Sequence, residues 1–347
     1  MDDNNFGVSS MIVATLKGPR NLVIEEIDSP NRPLGEEEIL VKTKVTAFKI
    51  GTDRGNYEGA EQVPGAPSYP RSVGDSNLGI VQAVGKNVKR FNVGDRVVSR
   101  AFHQSEYIGN LSDPIVKVPE GVKDEDAVWA HLYTLSHRCF TKANFVPSEY
   151  VAVIGLGTLG LGAVGIGASI GARVIAIGNN QLRCDMAKKF GAEHTLLHSD
   201  PDLAQKLYDI TDGTGVDLVI LTANPWPAFK LSLETVRPNG RISVVSLLGR
   251  GESELKENPL PMELFYFKGI SLVAVNGEIG YLYPLADNAD RLSWNNQCDF
   301  VLKLMKENKV NPSELITHRL HYKDMQKAYE MAYNRDKQML GVLFDWE

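Results

Sequence analysis

Residues Tyr150 to Gly160 read YVAVIGLGTLG, an apolar run that breaks into glycines at Gly155, Gly157 and Gly160 and continues helix-like to Ile170. A short Val/Ile-rich segment bounded by glycine is a buried strand, and the longer run after it has helical length. The three glycines at G-x-G-x-x-G spacing meet separate needs. The first makes a tight turn, the second lets backbone approach a pyrophosphate, and the third lets the helix lie close to the sheet. Phosphates would face the N–H groups of Thr158, Leu159 and Gly160, where the helix dipole favours negative charge. Such glycines also serve plain turns, but the strand-to-helix context favours the dinucleotide reading.

Working outward, RVIAIG is a second strand and QLRCDMAKKFG a second helix. Strand, helix and strand within about 30 residues form a βαβ unit, which makes a parallel sheet. VDLVILT, RISVVSLLG and ISLVAVNG are three further strands, spaced widely enough for crossovers. Gly162, Gly165 and Gly167 should each weaken the first helix by about 1 kcal/mol relative to Ala. Close packing on the sheet is the expected compensation.

The end of the second strand reports on the nicotinamide cofactor. An acid there pairs with free ribose hydroxyls and repels a 2′-phosphate. Here the strand runs into Gly178, Asn179 and Asn180, with Arg183 beyond. Gly178 is expected to leave open space, the two Asn amides to donate to phosphate and Arg183 to supply a cation, so NADP is the expected cofactor. The opposing reading is NAD bound without its usual acid, with Arg183 a solvated helix residue.

Before the glycine loop, residues from Met11 to about Gly121 alternate in short runs such as EILVKTKV, LGIVQAVG and DRVVSRAF, punctuated by Gly, Pro and Asp. These are the signals of an antiparallel, barrel-like β domain. DEDAVWAHLYTLSHRCFTKANF then carries helical periodicity, with acids at its start where the dipole favours them. After about Gly280, DFVLKLMKENK and YKDMQKAYEMAYNR are helical and QMLGVLFDW ends as a strand.

At 347 residues the chain exceeds the usual size of a single core, so two domains are expected. Net charge is −6 and no Lys/Arg block is present, which argues against nucleic acid and for a small-molecule substrate. The polar start MDDNNFGVSSM lacks a signal-peptide pattern, and no apolar run reaches membrane-spanning length, so a cytoplasmic chain without membrane association is expected. Cys139, Cys184 and Cys298 are scattered and fit neither a disulfide framework nor a thiolate zinc site.

The order of motifs resembles the medium-chain dehydrogenase/reductase superfamily, the relatives of zinc alcohol, sorbitol and threonine dehydrogenases. LGIVQAVGKNVKRFNVGDRVV, the glycine loop, GTGVDLVILTA, VRPNGRISVVSLLG and ITHRLHYKDMQKAYEMA carry the resemblance, which spans nearly the whole chain from Met11. It implies an α/β architecture, with a doubly wound Rossmann sheet set inside a GroES-like β-barrel catalytic domain. The expected boundaries are 1–126 for the GroES-like domain, completed by 290–347, and 127–289 for the Rossmann domain.

The departures from the zinc relatives are informative. Where those enzymes carry Cys-Gly-Thr-Asp, this chain has Ile50-Gly51-Thr52-Asp53; Gly-His-Glu becomes Gly74-Asp75-Ser76, and the ligand position seven residues before His137 is Ala130. Of these only Asp75 offers a metal donor, whereas a tight site needs three or four. The cysteine-rich structural lobe is missing from Arg96 to Val118. No zinc is expected. KIGTDRGNYEG with VGDSNLGIV resembles a zinc-less branch that includes the bacteriochlorophyllide hydroxyethyl dehydrogenases.

Without a Lewis acid, protein groups must manage charge and protons at the substrate oxygen. By resemblance the candidates lie around the vacated metal position. They are Thr52 as a proton relay, Asp53 and Asp75 for orientation or base chemistry, Tyr57 as acid or oxyanion donor, and His131 as the leading general acid/base. His103 is a weaker candidate, while His137 and Trp129 read as packing residues. Three functions remain in play: a zinc-independent NADP(H) oxidoreductase acting on a carbonyl or alcohol carbon, a C=C reductase of the enoyl or quinone type, and a catalytically idle NADP-binding regulator. GISLVAVNG, with its β-branched residues, is expected at a sheet edge, where by resemblance two copies would join as a homodimer.

Overall fold

The computed structural model describes residues 10–30, 32–59, 68–250, 252–253, 255–277 and 293–347. The polar stretch before Ser10, and Glu278 at the end of the expected edge segment, lie outside these residues. The chain divides into two compact units, one of residues 1–131 with 312–347 and the other of residues 132–311. The last helix before position 311 therefore groups with the second unit, where the sequence reading had placed 290–347 with the first.

The first unit opens with β1 (Ser10–Gly18) and β2 (Asn21–Asp28), followed by β3 (Glu38–Ala47) and the helix α1 (Ile50–Glu58). In β3, Ile39, Val41, Thr43 and Val45 are buried at every second position, the two-residue period of a strand with one face on a core. Next come β4 (Arg71–Ser72), β5 (Asn77–Val84), β6 (Arg96–Ser99), β7 (Glu106–Asn110) and β8 (Val116–Lys117). The helical segment expected over 124–145 is split into α2 (Asp124–Ala127) and α3 (Ala130–Lys142), and all but the first two residues of α3 belong to the second unit.

The second unit holds β9 (Tyr150–Ile154), α4 (Thr158–Ser169), β10 (Arg173–Gly178), α5 (Gln181–Lys189), β11 (His194–Leu197), α6 (Leu203–Ile210), β12 (Val216–Leu221), α7 (Trp226–Thr235), β13 (Val236–Val244), β14 (Ser271–Ala274) and α8 (Trp294–Lys306). Among the described residues its sheet has six strands, all parallel, in the order β11-β10-β9-β12-β13-β14. Counted from β9 this is 3-2-1-4-5-6, the doubly wound arrangement whose reversal point lies beside the first strand. The central strands are apolar along their length because helices cover both faces. β14 is the last strand in this order.

The chain then returns to the first unit with β15 (Ile316–His321), α9 (Met325–Tyr333) and β16 (Gly341–Asp345). β16 pairs antiparallel with β3, so the C-terminal segment extends the sheet β15-β16-β3-β5-β6-β8, with β7 also on β3. Two cores result. Ile39, Val41, Val81, Phe91, Val97 and Ile115 fill one. Phe48, Tyr57, Tyr329, Phe344 and Trp346 fill the other and fasten α1 to α9.

Candidate active site

The nucleotide loop and the candidate chemical residues lie in different units. In the second unit, Gly155 follows β9 at φ +99°, a conformation that favours glycine, and a Cβ there would meet Thr222 Oγ1 at 2.6 Å. Thr222 fixes the turn by donating to the Gly155 carbonyl at 2.7 Å. A Cβ on Gly160 would run into that same carbonyl oxygen, so the third glycine lets α4 start close against the loop. Around Gly157 a Cβ would meet nothing within 4 Å.

Gly157 is also the N-cap of α4 and supplies no side-chain acceptor. The first turn of α4, with Thr158, Leu159 and Gly160, contains no acid. Uncapped N–H groups at a dipole's positive end, beside a residue with room in front of it, form a cradle suited to a pyrophosphate. These residues fit a dinucleotide.

At the end of β10 the geometry corrects one expectation. Gly178 is buried, and a Cβ there would lie 2.8 Å from Leu156 Cδ1 and 3.0 Å from Cys184 Sγ, so the space beside it is filled rather than open. Asn180 is the N-cap of α5, its side-chain oxygen accepting from the Arg183 N–H at 3.0 Å. Asn179 is exposed. The Arg183 guanidinium donates to the Leu156 carbonyl at 2.8 Å, which places this cation over the glycine loop. Burial pulls its pKa below the ordinary arginine value.

In the first unit, the expected Gly-Thr-Asp motif is part of α1. Asp53 reaches back so that its Oδ2 accepts the Lys49 N–H at 2.8 Å, a carboxylate holding the helix start. Tyr329 donates to Asp53 Oδ1 at 3.4 Å. Asp53 is buried, and desolvation followed by repulsion from Asp75 pushes its carboxyl up to about 7, against the opposing backbone and charge of Lys49.

Asp75 sits between two cations. The Lys49 ammonium pairs with its Oδ1, and the Arg100 guanidinium lies 3.5 Å from its Oδ2. The side chains are 11% exposed for Lys49, 28% for Asp75 and 31% for Arg100. Burial raises the Asp75 carboxyl, but Lys49 and then Arg100 more than offset this, so its pKa lies below the usual value. Asp75 is therefore a carboxylate at neutral pH.

His131 is buried at the start of α3, and desolvation, with the charges of Lys49 and Arg100, pulls it down to about 3. At neutral pH it is an uncharged imidazole, unlike the titrating acid/base group expected for it. His103 is likewise buried and pulled down to about 3 by desolvation. Its Nδ1 lies 2.8 Å from Thr46 Oγ1. His103 Nε2, Ser76 Oγ and Trp129 Nε1 are buried with no hydrogen-bond partner among the described residues.

Tyr57 does not join this group. Its hydroxyl donates to Glu330 and accepts from Gln326 at 2.8 Å, and burial, with the Glu330 contact, pushes it up to about 12. The hydroxyl expected to serve a substrate is thus engaged by α9. Thr52 is exposed in the first turn of α1. The structure thus gathers Asp53, Asp75 and His131, and adds Lys49 and Arg100, which the sequence reading passed over. The signal for Lys49 was a cation directly before the altered motif at Ile50, while Arg100, at the end of DRVVSR, lies beside none of the altered motifs.

Of the positions matched to the metal ligands of the zinc relatives, only Asp75 carries a metal donor. Ile50 and Ala130 carry no donor atom, and the one carboxylate, Asp75, is paired to fixed cations that repel a divalent ion. Among the described residues no group of three His, Cys, Asp or Glu side chains is placed to hold a metal. The donor set does not fit zinc.

Comparison with known proteins places these features. A zinc-binding dehydrogenase family model matches residues 158–284, and an alcohol dehydrogenase GroES-like domain model matches residues 35–112. Sorbitol dehydrogenase from Halalkalibacterium halodurans is 25% identical, over 92% of this chain and 94% of that protein. Two solved structures share the fold. One, from E. coli CFT073, is described as a short chain alcohol dehydrogenase complexed with NADH, with TM-score 0.79 and 21% identity over 98% of this chain and 100% of the other. The other, a zinc-binding dehydrogenase homologue from Sinorhizobium meliloti 1021 bound to NADP, has TM-score 0.78 and 17% identity over 97% and 99%.

The chain belongs to the zinc alcohol dehydrogenase-like part of the medium-chain dehydrogenase/reductase superfamily. It is an oxidoreductase of the alcohol dehydrogenase type, with a GroES-like domain and a nucleotide-binding Rossmann domain. No helix of the described residues is long and apolar enough to cross a membrane.

Proposed function

We propose that this chain is a zinc-independent, NADP(H)-dependent oxidoreductase acting at a carbonyl or alcohol carbon of a small polar or ring metabolite. The observation that carries the reading is the Lys49–Asp75 ion pair: where zinc relatives carry a metal histidine, this chain holds a carboxylate already neutralised by a side-chain cation. When bound, the nicotinamide dinucleotide supplies or accepts the hydride. Gly157 and the first turn of α4 would hold its pyrophosphate, and Arg183 and Asn179 would favour the 2′-phosphate form. Residues 132–311 form the dinucleotide-binding domain and residues 1–131 with 312–347 the substrate domain.

Within the substrate domain, Asp75 orients its cations, and Asp53 holds the start of α1 on which Thr52 offers an exposed hydroxyl for proton relay. His131 acts as a neutral hydrogen-bonding group beside them. Among the described residues β14 lies at the edge of its sheet with Leu272 38% exposed, and we assign it the pairing of two copies into a homodimer.

The test follows NADPH absorbance with protein stripped of metal by chelator. Oxidation driven by aldehydes, ketones or hydroxyketones supports the reading. Oxidation only with α,β-unsaturated acceptors turns it toward C=C reduction, and NADPH binding with no acceptor at all leaves a dinucleotide-binding regulator. Activity that disappears on chelation and returns with zinc overturns the metal-free assignment.

A further inference from the structure

We propose that Lys49 is a catalytic residue, the side-chain cation that receives the substrate oxygen; this rests on the function proposed above. Lys49 lies directly before Ile50, which stands where zinc relatives carry a metal-binding cysteine, and its ammonium is fixed on Asp75, which stands where they carry a histidine. One side chain thus brings positive charge to the position that two lost ligands served.

The charge balance of the cluster supports this. Among the described residues Lys49 and Arg100 both face the Asp75 carboxylate, and the two nearby imidazoles are neutral. Asp53 is half-ionised at most near neutral pH. The surroundings therefore favour added negative charge, the condition for holding an oxygen on which an electron pair develops. An ammonium has three N–H donors. Among the described residues its recorded acceptors are both on Asp75, the carboxylate and, at 3.5 Å, the main-chain oxygen. A donor remains for a substrate. Ser76 Oγ, buried next in sequence and without a partner among the described residues, supplies a second polar atom beside the pair.

The step balances without a metal. As hydride forms the new C–H bond at the carbonyl carbon, the C=O π pair moves to oxygen. The Lys49 ammonium holds that oxygen and gives it one proton, and the resulting amine regains a proton from water. In the alcohol-oxidising direction each transfer reverses. Asp75 is a positioning residue that keeps the ammonium in place.

Lys49→Met, Lys49→Arg and the double variant Lys49→Met/Asp75→Asn test the assignment, with acetoin, dihydroxyacetone, fructose, benzaldehyde and cyclohexanone as acceptors. Lys49→Met should lower kcat by about 10²- to 10³-fold, as loss of an oxyanion donor does, with NADPH affinity by fluorescence titration unchanged. Lys49→Arg, which keeps the charge, should retain more turnover than Lys49→Met. Urea unfolding separates structure from chemistry. Lys49→Met leaves a carboxylate short of a partner and lowers the midpoint, and the double variant removes that carboxylate and restores it. Its turnover should stay as low as that of Lys49→Met.

Turnover of Lys49→Met within about tenfold of the unmodified chain, recovery of kcat in the double variant, or equal loss in Lys49→Arg and Lys49→Met overturns the role of Lys49 and leaves the proposed function standing. An unmodified chain that turns over none of these acceptors overturns both.

Discussion

Gly74 lies against the imidazole of His103 so closely that a Cβ at Gly74 would come within 2.6 Å of His103 Cδ2, and its φ of +84° is one that side chains resist. The ring cannot easily yield, because it is buried and tied to Thr46. Gly74 also precedes Asp75 directly, so its position fixes where the carboxylate begins. Gly74→Ala should destabilise the chain by about 2 to 4 kcal/mol through strain and overlap together. Urea unfolding measures it, and a loss below about 0.5 kcal/mol would mean that the ring and backbone relax freely.

Acid should weaken the fold well before carboxylates are generally protonated. Burial holds His103 and His131 at about 3 and His137 at about 4, against an ordinary 6.5. Between those values the unfolded chain takes up protons that the folded chain refuses, so stability falls as pH drops. Asp53 works in the opposite sense, since the folded chain keeps its proton up to about 7 and the unfolded chain releases it above 3.8. Three histidines against one carboxyl leave a net loss on acidification, about 1.4 kcal/mol per pH unit for each unmatched proton. The urea midpoint should fall from pH 7 to pH 5, and fall less in His103→Gln. A midpoint that rises on acidification would contradict the burial of these imidazoles.

Cofactor preference is set where β10 ends. NADPH should bind more tightly than NADH in fluorescence titration. Arg183→Ala should weaken NADPH about tenfold or more, as loss of a charge-assisted hydrogen bond does. NADH should weaken less, through the lost Leu156 contact alone. A new acid belongs at position 179, because Gly178 has no room for a side chain while Asn179 is exposed. Asn179→Asp should shift the preference toward NADH. Tighter NADH binding by the unmodified chain would show that the end of β10 does not select the 2′-phosphate.

The side of β14 that has no strand partner among the described residues should join two copies. Leu272→Lys places a charge on the partly exposed face of that strand and should move a dimer toward monomer in sedimentation. A monodisperse monomer of the unmodified chain at micromolar concentration would remove the dimer assignment.

Much of the second unit was legible because its signals are local. A Val/Ile strand, three spaced glycines and a helix lie within one stretch, and the later strands VDLVIL and ISLVA fall in β12 and β14 or beside it. The short strand β11 was passed over, since four residues of HTLL carry little periodicity. The candidate site was harder because its partners are distant in sequence. Tyr57 finds Glu330 across 273 positions, and no local pattern foretells that. The residues at the zinc relatives' ligand positions could be read one by one, whereas Lys49 stood in plain view before Ile50 and gained meaning only once its ammonium was found on Asp75. The depth at which His131 is buried, which decides its charge, is likewise a property of the folded neighbourhood.

The glycines of α4 have a mechanical consequence. A Cβ at Gly162 would meet Tyr133 Cε1 at 2.7 Å and one at Gly167 would meet Phe140 Cζ at 2.8 Å, so the two glycines receive aromatic rings of α3 more than they serve the sheet. Gly165 takes up Phe190 at 3.1 Å in the same way. A helix keyed at three points along its length cannot roll or slide by one residue without driving a side chain into a ring. Its first turn, from Thr158 onward, is therefore indexed by residues that never touch a phosphate, and the tolerance of the nucleotide cradle is set as much by Tyr133 and Phe140 as by the loop itself.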